Sequence, residues 1–275
     1  MRSGSLLPTT RCGHAACDPK GAWMARELRV LHQDERGVRR TRPAERMADV
    51  PLTERGAVWK PSRHPSQRSI VTWWWAATSR RLVGCRSLDR LSTAMLLDFH
   101  PHVVDFSAWS AQLLWRERGR QRQLVPDFFV RTAAGQTLVV ACPPQTGPSE
   151  RFERQLAVLR EACQQAGWQL AAPRLPGAVA LANLRWVSRR RHPRYGDAEV
   201  EAALARSFAR PRPLLEGVEA CTVPRLLALP RLYHMLWHRR LGVDWSVPLS
   251  PGTLVGPLDA GESGAMRRPF TVEQS

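Results

Sequence analysis

The residues able to do chemistry lie between Ser87 and Cys142. Asp89 falls in Ser-Leu-Asp-Arg-Leu (87–91) and Asp127 in Pro-Asp-Phe-Phe-Val (126–130), and an apolar run, Leu138-Val139-Val140-Ala141-Cys142-Pro143, follows. An acid on a helix, a Pro-Asp entering a strand and a second strand beside it form a pattern that holds a divalent metal next to DNA. Hydrolysing a phosphodiester at neutral pH needs a metal to activate water and neutralise developing charge. Carboxylates are the hard oxygen ligands that magnesium prefers, and a nearby lysine can orient the water or stabilise the transition state. Two of the residues this chemistry calls for are missing from the stretch.

The elements that must position these groups are legible from periodicity. Leu88, Leu91, Met95 and Leu96 make the core-facing stripe of a helix over about 86–98, with Asp89 at the edge of that stripe. His100-Pro101 ends it, because a residue before proline leaves the helical region. Short strands are expected at 103–106 and 112–115, a hairpin turn at 117–120, a strand at 127–131 and a turn at Ala133-Ala134-Gly135. The run 137–142 shows no alternation, which predicts a central strand covered on both faces. A helix over 149–166, capped by Ser149 and ended by Gly167, leads to a strand at 168–171. Strand, helix, strand makes a βαβ crossover, so the sheet is mixed and the class is α/β.

Upstream, Ile70 to Trp75 and Leu82-Val83 predict a hairpin; its three tryptophans bury alternate rings or stack on bases. Residues 1–68 are rich in Arg, Pro and Gly and read as a flexible basic arm, with only the stretch 23–31 looking structured. A helix from Ala180 runs into Arg189-Arg190-Arg191, which are either a phosphate clamp or a solvated helix end. The expected domain is 69–196. Beyond it, Asp197 caps a helix over about 198–208, two short helices flank Pro230, and 243–247 forms a strand: the outline of a winged helix over 197–256, with a disordered tail over 257–275.

Of 41 basic residues only Lys20 and Lys60 are lysines, and the net charge is +17. Arginine pairs with phosphate bidentately and stacks on rings, so a polyanionic partner is expected. Cys12, His14 and Cys17 could open a metal site, but no second ligand pair has matching spacing. No apolar run reaches the ~20 residues of a membrane span. A soluble, cytoplasmic, nucleoid-associated protein with free thiols is expected.

Five landmarks in order carry a resemblance. They are Trp75-Ala76-Ala77-Thr78 with Arg81-Leu82-Val83; Ser87-Leu88-Asp89-Arg90 with Leu96 to Pro101; Pro126-Asp127-Phe128; Ala182-Asn183-Leu184-Arg185-Trp186 with Arg190 to Pro193; and Tyr233 to Trp237 with Val247-Pro248-Leu249. Over about residues 66–256 the chain resembles the TnsA-like endonuclease subunit of heteromeric transposases, within the P-D-(D/E)-x-K nucleases. The resemblance implies a restriction-endonuclease-like mixed sheet flanked by helices, with a small C-terminal winged-helix-like unit. It implies magnesium-dependent cleavage at transposon DNA ends, a DDE/integrase-type transposase partner and an AAA+ ATPase regulator.

Placed on this sequence, the family's helix acid, usually Glu, is Asp89; its strand acid is Asp127; its acid-x-Lys is Val140-Ala141-Cys142. The implied metal ligands are Asp89, Asp127 and the backbone carbonyl of Ala141, with Cys142 at the lysine position as a neutral, non-functional thiol. Nucleic-acid contacts are expected from Arg185, Arg189, Arg190, Arg191, Arg239 and Arg240. Two readings follow: an active or weakly active endonuclease using Asp89 and Asp127 with magnesium, or a nuclease-fold subunit that holds DNA ends, or scaffolds a transposase, without cutting. A plain winged-helix regulator is the more distant third.

Overall fold

The computed structural model describes residues 26–61, 69–145, 147 and 149–258. Its centre is a mixed four-stranded sheet in the order β10-β9-β8-β5, built from β5 (Val103–Ser107), β8 (Phe128–Thr132), β9 (Thr137–Val140) and β10 (Gln169–Ala171). β8 and β9 are antiparallel neighbours with Phe128 opposite Val140, and Gly135, at φ 78°, sits in the turn between them. β9 and β10 are parallel and joined by α2 (Glu150–Ala166), which is the expected crossover. Ser149 caps α2 by accepting from the Phe152 N–H, and Gly167, at φ 68°, ends it in the left-handed conformation that favours glycine.

Alternate residues of the central strands go to two cores. Phe128, Val130, Leu138 and Val140 join one cluster with Met95, Phe99, Leu184, Phe208, Leu232 and Trp237. Phe129, Val139 and Ala141 join the other with Leu28, Val30, Met47, Leu113, Leu156 and Leu159. Burial on both faces explains the absent alternation in 137–142.

The second cluster overturns part of the expectation for the N-terminal arm. Residues 26–54 are folded: β1 (Arg29–Gln33) pairs with β2 (Arg39–Pro43) and with β6 (Ala111–Glu117), whose other neighbour is β7 (Arg120–Leu124). Leu28, Val30, Ala44, Met47 and Leu52 are buried there. Cys12, His14 and Cys17, the rest of the arm to residue 25, and the tail from 259 lie outside the described residues.

α1 (Leu88–Phe99) starts at Ser87, whose hydroxyl accepts from the Arg90 N–H, and stops at His100, where ψ is 131°. The hairpin β3 (Thr72–Ala76) and β4 (Arg81–Cys85) is tied to it by Asp98. That buried carboxylate accepts from Trp74 Nε1 at 2.9 Å, Ala77 N at 3.0 Å, Thr78 N at 2.8 Å and Thr78 Oγ1 at 2.7 Å. Two of the landmark motifs are thus joined by one side chain.

The C-terminal part contains α3 (Ala178–Val187), α4 (Ala198–Ser207), α5 (Leu214–Glu219), α6 (Arg225–Trp237) and a small sheet β11-β13-β12 (Arg212–Pro213, Leu254–Gly256, Gly242–Val243). Its buried residues belong to the same cluster as α1 and the central sheet. Two helices separated at Pro230 were expected; α6 instead runs through Pro230 as one helix. The strand expected at 243–247 is confined to Gly242–Val243. Asn183, on α3, anchors the following segment by donating to the Trp245 and Val247 carbonyls and accepting from Leu249 N. Among the described residues, no helix is long and apolar enough to cross a membrane.

α6 meets the 188–195 segment through two histidines. His234 Nδ1 lies 2.7 Å from the Arg190 carbonyl, His238 Nε2 lies 3.2 Å from that of Arg191, and their rings are 4.3 Å apart. Each nitrogen must therefore carry a proton and donate. Burial pushes both pKa values below 6.5; Glu201 pulls that of His234 back up, Asp98 that of His238, and Arg240 pushes both further down. The unfolded chain then takes up these protons first. Stability is full above the unfolded pKa of 6.5 and is lost as pH falls from there through the lower folded values. The urea midpoint is expected to drop between pH 7.5 and pH 5. A His234→Asn, His238→Gln variant, which keeps a donor at each nitrogen, is expected to show a flatter profile.

Candidate functional site

A cleft of about 680 Å3 opens where the ends of β8 and β9 meet the starts of α1 and α2. Asp127 precedes β8 and Cys142 follows β9, so the strand pairing brings them together, and the Cys142 N–H donates to Asp127 Oδ2 at 2.8 Å. The other oxygen faces arginine. Arg90 Nε donates to Oδ1 at 3.3 Å, and Arg86 Nε lies 3.2 Å from it as an ion pair without hydrogen-bond alignment. Each guanidinium is also fixed to backbone: Arg86 to the Val125 carbonyl at 2.9 Å and Arg90 to that of Cys142 at 3.3 Å.

The helix presents a cation, not an acid, to Asp127. Successive helical residues are rotated by about 100°; with Arg90 aimed at the carboxylate, Asp89 is turned aside and does not line the cleft. Burial works against the Arg90 charge, but the Asp127 carboxylate, with Asp89 adding to it, outweighs it and holds the pKa above its ordinary value. Cys142 is buried, and burial together with the Asp127 charge pushes its thiol well above the usual range. It is neutral at physiological pH. Ala141 lines the cleft beside it.

This donor set does not fit magnesium, which requires a near-octahedral shell of oxygens at about 2.0–2.1 Å. Among the described residues one carboxylate lines the cleft, both of its oxygens are engaged, and the nearest cation positions are filled by two guanidinium groups. Among the described residues, no group of three or more His, Cys, Asp or Glu side chains is placed to hold a metal. The arrangement suits an anion: Arg86, Arg90 and Arg151 outnumber Asp127 around the cleft.

The arginines expected to contact nucleic acid divide into two sets. Arg191 is turned inward, donating to the Trp75 carbonyl at 2.8 Å and lying 3.8 Å over the Trp74 ring. Arg239 donates to the Phe99 carbonyl, and Arg240 pairs with Glu201. Burial lowers the pKa of Arg191 and Arg239. These three build the fold around Asp98 and Glu201. Arg185 is exposed and bonds Ser92, Arg189 stacks over the half-exposed Trp186, and Arg190, with Arg194, brackets the Tyr195 ring. Arg86, Arg90, Arg151 and Trp59 were not anticipated; the four-residue spacing of Arg86 and Arg90 across Asp89 was the available signal. No family model and no curated protein matches the chain.

Proposed function

We propose that this chain is a DNA-end-binding subunit that grips phosphates with arginine and does not hydrolyse them. The observation that carries this reading is the Asp127 carboxylate engaged by Arg86, Arg90 and the Cys142 N–H, where a metal-dependent nuclease would gather acids. The net charge of +17 supports a polyanionic partner. The five landmarks shared with TnsA-like subunits support DNA ends as the target, a restriction-endonuclease-like frame for the central sheet, and a winged-helix-like role for α4 to α6 with their small sheet. On the same resemblance, the partners are a DDE-type transposase subunit and an AAA+ ATPase.

Binding of a fluorescent duplex, followed by anisotropy, tests the reading. Affinity is expected to survive EDTA, because arginine rather than a bridging metal makes the contacts, and to fall steeply with salt as counterions return to the phosphates. Binding that requires magnesium, or no binding at low salt, contradicts it.

A further inference from the structure

The cleft contains more than cations. Trp59 forms part of its wall and is held from behind: the Trp109 ring meets it edge-on at 5.6 Å, and Trp73 meets Trp109 at 5.7 Å. Trp109 is itself locked in place, because it packs against Gly84, where a Cβ would come within 2.3 Å of its ring. The Arg86 guanidinium lies 5.2 Å from the Trp59 ring centre. Gln112 and Gln123 also line the cleft; Gln112 donates to Gln123 at 2.7 Å, which leaves the Gln112 carbonyl as an acceptor and the Gln123 amino group as a donor. Arg151 and Gln155 complete the wall on the α2 side.

A fixed indole, a planar guanidinium, an amide donor–acceptor pair and a separate arginine match the parts of one nucleotide: a base face, a base edge and a phosphate. The volume, about 680 Å3, is within the range of small-ligand pockets. We propose that the cleft takes an unpaired nucleotide at a DNA end, with its base on the Trp59–Arg86 platform and its phosphate at Arg151. This rests on the DNA-end reading above and adds which form of end is bound.

The test compares a blunt duplex with the same duplex carrying a three-nucleotide single-stranded overhang, on the full chain in EDTA. A second overhang duplex carries 2-aminopurine, whose fluorescence is quenched by stacking. The overhang is expected to bind about tenfold tighter than the blunt end, the scale of one stacked base, with the 2-aminopurine signal quenched. In Trp59→Ala the overhang-to-blunt ratio is expected to collapse to about one, whereas Trp59→Phe, which keeps a ring, retains most of the preference. Equal affinity for both ends in the native protein, an unquenched signal, or an undiminished ratio in Trp59→Ala would overturn the unpaired-nucleotide assignment while leaving DNA binding intact. Failure to bind either end would instead overturn the DNA-end reading beneath it. Should Trp59→Ala not fold, the native quenching and the Trp59→Phe ratio decide the matter.

Discussion

Replacing Asp98 with alanine is expected to remove about 3–5 kcal/mol of folding stability, the range seen when a buried, multiply bonded charge loses one side. Asp98 is 6% exposed and accepts four hydrogen bonds from the β3–β4 hairpin. Without it, Trp74 Nε1 and the Ala77 and Thr78 amides are left inside the protein without their acceptor. Asp98 is also the negative charge acting on the part-buried Arg191 and Arg239 guanidiniums. Asp98→Asn keeps one acceptor but turns amide protons towards the same donors, so it is expected to fall between the two. Urea unfolding monitored by tryptophan fluorescence measures all three proteins; a loss below ~1 kcal/mol in the alanine variant contradicts the structural role.

Asp127→Asn is expected to act in the opposite direction from a substitution at a metal ligand. The carboxylate is the counter-charge of Arg86 and Arg90, and its side chain is only 10% exposed. Removing it leaves the positive charge of two guanidinium groups uncompensated in the cleft. Coulomb's law puts one unit charge at 4 Å at about 1–4 kcal/mol between bulk water and a protein surface, and salt screening favours the lower end. Affinity for a DNA end should therefore rise about 5- to 10-fold, while folding stability drops by about 1–3 kcal/mol as charge-assisted bonds are lost. Asp89→Asn, which removes a charge outside the cleft, is the control and should change affinity less. Unchanged or weaker DNA binding in Asp127→Asn contradicts the counter-charge role.

Much of the frame was legible because local signals and tertiary needs agree. Ser149 and Gly167 bound α2 by capping chemistry, and the unbroken apolar run of β9 announces a strand with a core on each side. β2 was missed because Arg39, Arg40, Thr41 and Arg42 are exposed on an edge strand and carry no apolar pattern. Its pairing with β1 orders it, and β1 is in turn ordered by β6. Pro230 predicts a break, yet the carbonyl it fails to bond, that of Leu226, belongs to an exposed first turn that water can satisfy.

At the site, residue types were legible and their directions were not. Asp127 and Cys142 converge as the strand spacing requires. Which of Asp89 and Arg90 faces them depends on where Ser87 starts the helix, and a rotation of one residue changes an acid into a cation. Sequence alone also could not separate arginines available to phosphate from those spent inside: Arg189 and Arg191 are two residues apart, and only the second lies against Trp74.

The proposed function requires the Asp127 cleft to bind DNA without hydrolysing it. Incubating the purified chain with supercoiled plasmid in magnesium and, separately, manganese, at concentrations where anisotropy shows the DNA to be bound, measures this directly. No nicking above the level of the metal-free control is expected, in the native protein and in Asp127→Ala alike. Metal-dependent nicking by the native protein that disappears in Asp127→Ala would contradict it.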